Sequence, residues 1–250
     1  MTVAYNSTNT DPAYVFDYDN GGLVQLAFPF VNTGGNALCI LASCYGDSAP
    51  PTFSSVTCNG TPVTVDWNVP YTSSSGDPFC FFGGHLLNVP TGTLSFVLDI
   101  VPGLSCYDIK ARVVSVSGAK ANGTVNFNKT INQFNPCATS VISKAGDLVI
   151  GIASDEGYAS CPPSSLNGTI ISSSGEVWAS YQNGAASVSV SQTASAGFAA
   201  LCSGAWSFPA QTASSPSGVT VVSGISDPGD VTNFSGVSVK HTGVTLTDLN

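Results

Sequence analysis

Few residues in this chain could do acid–base or ligand chemistry, and they are scattered. There are only two histidines, His85 and His241. His85, in "FGGHLLN", is the one base that strand-rich sequence would position, and nucleophilic catalysis needs such a base beside a Ser or Cys. Its neighbours are apolar and no G-x-S-x-G elbow exists, so a core or sheet-edge histidine is expected; His241 is expected to be solvated. Paired carboxylates could serve glycoside hydrolysis. The most suggestive are Asp155 and Glu156 in "SDEGY", with Tyr158 close by. One loop does not supply two opposed acids, and neither Glu176 nor Asp66 can be placed opposite it, so a solvated loop is expected. Asp17, Asp19 and Asn20 in "FDYDNGG" have alternate spacing that oxygen-liganded calcium could use, but the closing Glu of an EF-hand loop is missing and an acidic turn is expected. Sugar binding would draw on Trp67, Trp178, Trp206, Tyr71 or Tyr181. Trp67 and Trp178 lie in apolar strand patterns and read as core. No catalytic, cofactor or metal site, and so no enzyme, is expected.

Eight cysteines, at 39, 44, 58, 80, 106, 137, 161 and 202, form no C-x-x-C pair and match no zinc spacing. Two readings stand. They are buried thiols acting as small hydrophobes, or disulfides formed after release into an oxidising medium.

Composition narrows the function classes. Charged residues are 8% of the 250-residue chain, and six Lys+Arg against fifteen Asp+Glu give a net charge of −9. The basic residues Lys110, Arg112, Lys120, Lys129, Lys144 and Lys240 do not cluster in sequence, which argues against nucleic acid and anionic membrane as partners. The N-terminus lacks a basic n-region and an apolar h-region, so no secretory signal is expected, and no apolar run reaches membrane-spanning length. A surface built on Ser, Thr, Asn and Gly, in a chain made without export, fits a virion component.

The elements that must position these residues are strands. "TPVTVDWNV" sets Val63, Val65, Trp67 and Val69 at period two; "TVNFNKTI" does so with Val125, Phe127 and Ile131, and "ASVSVSQ" with Val188 and Val190. "NALCILAS", "LSFVLDIV" and "GDLVIGIAS" are continuous apolar runs, expected to be buried on both faces. Turn dipeptides separate the runs, among them Asn59-Gly60, Asn122-Gly123 and Asn167-Gly168. Recurrent Asn-Gly predicts type I′ hairpins.

"GNALCILAS" and "GDLVIGIAS" match, as do "VDW" and "EVW". The sequence therefore predicts an all-β antiparallel double-sheet sandwich, jelly-roll-like, with an internal two-fold repeat. Residues 1–22 read as an N-terminal docking arm. Residues 23–209 read as the sandwich, with halves at about 34–119 and 145–208 that together make one double sheet. Residues 210–250 read as a Ser/Gly/Thr-rich extension that could add a strand.

The order "GGNALCILAS", "VTCNGTPVT", "LLNVPTGTLSFVL", "ARVVSVSGA", "AGDLVIGIAS" resembles β-sandwich modules of phage and bacterial surface proteins. The resemblance covers roughly residues 34–208. It includes an N-x-P-x-G loop at Asn88-Val89-Pro90-Thr91-Gly92 and a strand from Val114 to Gly118. It implies a tailed-phage virion protein: a capsid decoration (cement) protein or a neck or collar protein. Its partners would be the major capsid protein or neck and portal proteins, and a homotrimer is expected. The alternative is a receptor- or carbohydrate-binding module of a tail fibre or surface protein. The resemblance brings no catalytic residues.

Overall fold

The structure, a computed structural model, describes residues 3–5, 14–132, 134–157, 163–173, 175–194 and 198–211. Tyr158, Cys161, His241 and the expected extension from residue 212 lie outside the described residues. Every regular element described is a strand, and the chain is all-β.

The first half forms two sheets. One carries β1 (Ala4–Tyr5), β2 (Tyr14–Leu23), β4 (Ala37–Gly46), β7 (Thr64–Thr72), β8 (Pro78–Leu87) and β10 (Cys106–Ser117), with β10, β4, β8 and β7 side by side and β1 and β2 both on the far edge of β10. The other holds β3 (Gln25–Asn32), β9 (Gly92–Ile100), β5 (Phe53–Cys58) and β6 (Thr61–Pro62) in that order. The pairs β2·β10, β3·β9, β4·β8 and β5·β6 are nested like a hairpin folded back on itself, which is jelly-roll connectivity. Within the segment expected as an arm, residues 4–5 and 14–18 therefore pair with β10 of the same chain.

The second half repeats this order. β11 (Asn126–Asn132), β18 (Phe198–Phe208), β13 (Leu148–Gly157), β16 (Val177–Asn183) and β15 (Thr169–Ser172) form one sheet; β12 (Cys137–Ile142), β17 (Ser187–Ala194) and β14 (Pro163–Leu166) form the other. The nesting is β11·β18, β12·β17, β13·β16. Each half thus closes a double sheet of its own instead of contributing half of one. Strands such as β3, β8 and β9 in the first half, and β12, β16 and β17 in the second, give each half enough partners to bury its apolar faces.

The four sheets stack in layers. One core lies between the two sheets of the first half, built from residues such as Phe28, Ile40, Phe82 and Phe96. A second joins the halves, with Leu41, Trp67, Phe81 and Val114 against Ile150, Ile152, Cys202 and Trp206. A third lies inside the second half, around Val149, Val188 and Val190. The two middle sheets are covered on both faces, so β4 and β10 are buried almost throughout. This is why "NALCILAS" and "GDLVIGIAS" read as continuous apolar runs. The outer strands β3, β12 and β17 alternate buried and exposed residues, as one-sided strands must.

Two sequence expectations are corrected. Val63, Val65, Trp67 and Val69 do not share a face: Val63 is in the first core, Val65 is 58% exposed and Trp67 is in the central interface. The register of β7 against β8 shifts between Val65 and Trp67, a bulge that resets the alternation. Asn-Gly is not a type I′ turn everywhere. Asn59 and Gly60, at φ 50° and 75°, close the β5·β6 hairpin in that form. Of Asn167-Gly168 only the glycine has positive φ, and β15 pairs with β16 instead of β14.

Candidate functional site

The polar side chains that the fold gathers lie in the central interface, not in a loop. β10 carries Asp108, Lys110 and Arg112 at period two, so all three occupy the face opposite Ile109, Ala111 and Val113. That face meets the second jelly roll. Lys110 is 2% exposed and Arg112 is fully buried. The Lys110 Nζ lies 2.7 Å from Glu156 Oε2 and 3.5 Å from Asp108 Oδ2, and also contacts Glu176 Oε2. Ser43 donates its hydroxyl to Glu156 Oε1, and its Oγ is 3.0 Å from Ser154 Oγ. The Arg112 Nε–H donates to the Val177 carbonyl.

Burial acts on each member. It pushes the Glu156 carboxyl up to about 7, with Lys110 partly opposing it. It raises Asp108 for the same reason, again against Lys110. For Lys110 burial favours the neutral amine, but Glu156, Asp108 and Glu176 together outweigh it and hold the ammonium far above its usual range.

Asp155 and Glu156 are not in a solvated loop: β13 runs through Gly157, and both are fully buried. Adjacent strand residues face opposite ways. Glu156 enters the central interface, whereas Asp155 faces the inside of the second jelly roll, where its field reaches Cys137. Neither Asp155 oxygen has a hydrogen-bond partner among the described residues. Burial first, then the Glu156 charge, pushes its carboxyl up to about 8. The fold therefore joins Glu156 with Glu176, a pairing the sequence did not place, and separates Asp155 from both. Asp17 lies within strand β2, opposite Ile109, and not in a calcium-type turn.

A second polar centre lies in the same interface. His85 Nδ1 is 2.9 and 3.0 Å from the two carboxylate oxygens of Asp66, whose side chain is fully buried. The Trp206 Nε1–H donates to Asp66 Oδ2 at 2.6 Å, across the interface. Trp67 stacks on Trp206 with centroids 4.8 Å apart. Glycines from both sheets make room for its indole: a Cβ on Gly83 would fall 2.2 Å from Trp67 Cε2, and one on Gly204 2.9 Å from Cη2. The β7 bulge turns Asp66 and Trp67 towards the same neighbour, and the geometry is that of a structural clasp. Cys39, opposite His85 in register, is fully buried, and burial together with Asp66 holds it as the thiol.

Trp67 and Trp206 are core residues, and Trp178, Tyr71 and Tyr181 are partly buried and packed against core clusters. Trp67 lies in edge strand β7 and Trp178 in inner strand β16, so the two are not equivalent in the fold. The seven described cysteines carry free, buried thiols. What sequence reasoning missed is the Lys110 cluster. The available signal was three charged residues at period two inside an otherwise apolar strand.

Fold and site together define a protein of two jelly rolls packed back to back around buried ionic and aromatic contacts. Comparison with known proteins adds no relative: no family model, no curated protein and no solved structure matches the chain.

Proposed function

We propose that the chain is a non-enzymatic structural protein of a virus particle, which decorates and stabilises a capsid or its neck. The observation that supports this reading best is the use made of its polar groups. Lys110 with Glu156, and Asp66 with Trp206, join the two jelly rolls into one block, and His85 holds Asp66 in place. Buried ion pairs of this kind fix geometry more than they add stability, and fixed geometry is what a bridging component needs. The weakly charged surface and the resemblance of residues 34–208 to virion modules point the same way. Binding only to the assembled lattice would stabilise the particle by mass action, and a homotrimer, carried by the resemblance alone, would add avidity.

The test is co-sedimentation of the purified chain with assembled particles and with their unassembled shell subunits. Binding to particles in preference to subunits supports the reading, and equal or no binding refutes it. A glycan-binding module would have to use groups other than Trp67 and Trp206, which are in the core.

A further inference from the structure

We propose that Lys110 and Glu156 condense to an intramolecular amide that covalently joins the two jelly rolls. This rests on the geometry of the central interface and not on the virion reading.

Four features carry it. The Lys110 Nζ is 2.7 Å from Glu156 Oε2, so nucleophile and acyl group are in contact before any reaction. The two side chains are 3% and 0% exposed, which removes the water that would compete and would favour hydrolysis. Ser43 donates a hydrogen bond to Glu156 Oε1, where negative charge develops as Nζ adds to the carboxyl carbon. Glu176 also contacts Nζ and is 11% exposed, so it can carry a proton from the nitrogen to the departing oxygen beside a path to solvent.

The balance is simple. The ammonium passes one proton within the cluster, and the freed Nζ lone pair attacks Cδ of Glu156. The tetrahedral adduct loses one carboxyl oxygen as water, and an N–C amide bond replaces the C–O bond. An ammonium and a carboxylate become a neutral amide and water, with no oxidant, reductant or net proton release. Desolvation favours that loss of charge, because a buried neutral amide costs far less than two buried ions. Held groups react with effective molarities of about 10⁵–10⁸ M. The ammonium is the resting form, since the three carboxylates stabilise it. The reaction is therefore a slow maturation step after folding. Asp108, 3.5 Å from Nζ, keeps the amine oriented.

The experiment is the intact mass of the full chain, denatured and reduced, followed by proteolysis and fragment mapping. The expected mass is one water below that of the sequence, with a branched fragment joining the segments that carry Lys110 and Glu156. Lys110→Met should restore the full mass, and Glu176→Gln should slow the loss of water in freshly purified protein. The wild-type measurement alone decides the matter even if those variants fail to fold. An unchanged wild-type mass after prolonged incubation overturns the proposal, and so does a water loss mapped to any other pair.

Discussion

Ser43 and Ser154 touch Oγ to Oγ at 3.0 Å across the central interface. They are the last residues of the matching stretches "GNALCILAS" and "GDLVIGIAS", so the same position of each half meets its counterpart. Self-matching contact is the mark of an isologous interface, where one surface is used twice. Asn59 and Ser95 exchange hydrogen bonds, from Asn59 N to Ser95 O and from Ser95 N to the Asn59 side chain. Asn167 and Ser191 do the same in the second half. The internal likeness thus extends from strand order to particular contacts.

Breaking the ion cluster should be costly. Lys110→Met leaves Asp108, Glu156 and Glu176 buried without their cation, and uncompensated buried charge typically costs about 3–5 kcal/mol. Removing Lys110, which lowers Glu156, pushes that carboxyl further up, so urea unfolding should give the full loss only at alkaline pH and a smaller one near pH 5, where Glu156 holds a proton.

Stability should fall as pH rises through neutrality. Asp155, and Glu156 in chains whose Lys110–Glu156 pair has not yet condensed, hold protons more tightly folded than unfolded, with carboxyls at about 8 and about 7. Between the unfolded carboxylate range, about 4, and those values the folded state binds more protons, so alkalinity favours unfolding, by at most about 1.4 kcal/mol per pH unit per group. The Lys110 ammonium has the same sign, because its value is raised too, but its contribution is lost only at strongly alkaline pH, above this window. Melting curves from pH 5 to 9 should show the decline, and Asp155→Asn should flatten it.

The Trp67 slot should tolerate no added atom. Gly83→Ala sets a methyl 2.2 Å from the indole, and overpacking of this kind costs about 1–3 kcal/mol. Tryptophan near-ultraviolet dichroism should change with it as the Trp67–Trp206 stack is displaced.

The thiols should be silent in the native state. Burial raises Cys39, Cys44, Cys58, Cys137 and Cys202, and a protonated thiol is a poor nucleophile. A thiol reagent should leave Cys39, Cys44, Cys58, Cys80, Cys106, Cys137 and Cys202 unlabelled in the native chain and reach them only on unfolding.

Much of the fold was legible because burial leaves a pattern. Two-sided burial wrote the apolar runs of β4 and β13, and one-sided burial wrote the alternation of β17. Continuity failed where geometry is local. A single bulged residue, Asp66, moved Val65 out to solvent, and no periodicity count can foresee it. Asp155 and Glu156 read as loop because charge in sequence resembles exposure; their cation, Lys110, lies on a strand of the other half. Long-range pairing decides such a site, and sequence spacing carries no trace of it. The His85 expectation, a core or sheet-edge histidine, fits its position on β8. Its partner Asp66, like the Trp206 contact, needed the three-dimensional pairing of β7 with β8 and of the two halves.

The most direct test is to weigh the chain against the shell protein in purified particles. Quantitative mass spectrometry should find it in a fixed stoichiometry, from hundreds of copies for a capsid cement protein to a few dozen or fewer for a neck component. Particles stripped of it should release their contents at lower temperature and recover when the purified chain is added back. A chain absent from particles, or particles whose stability ignores its removal, would contradict the structural role.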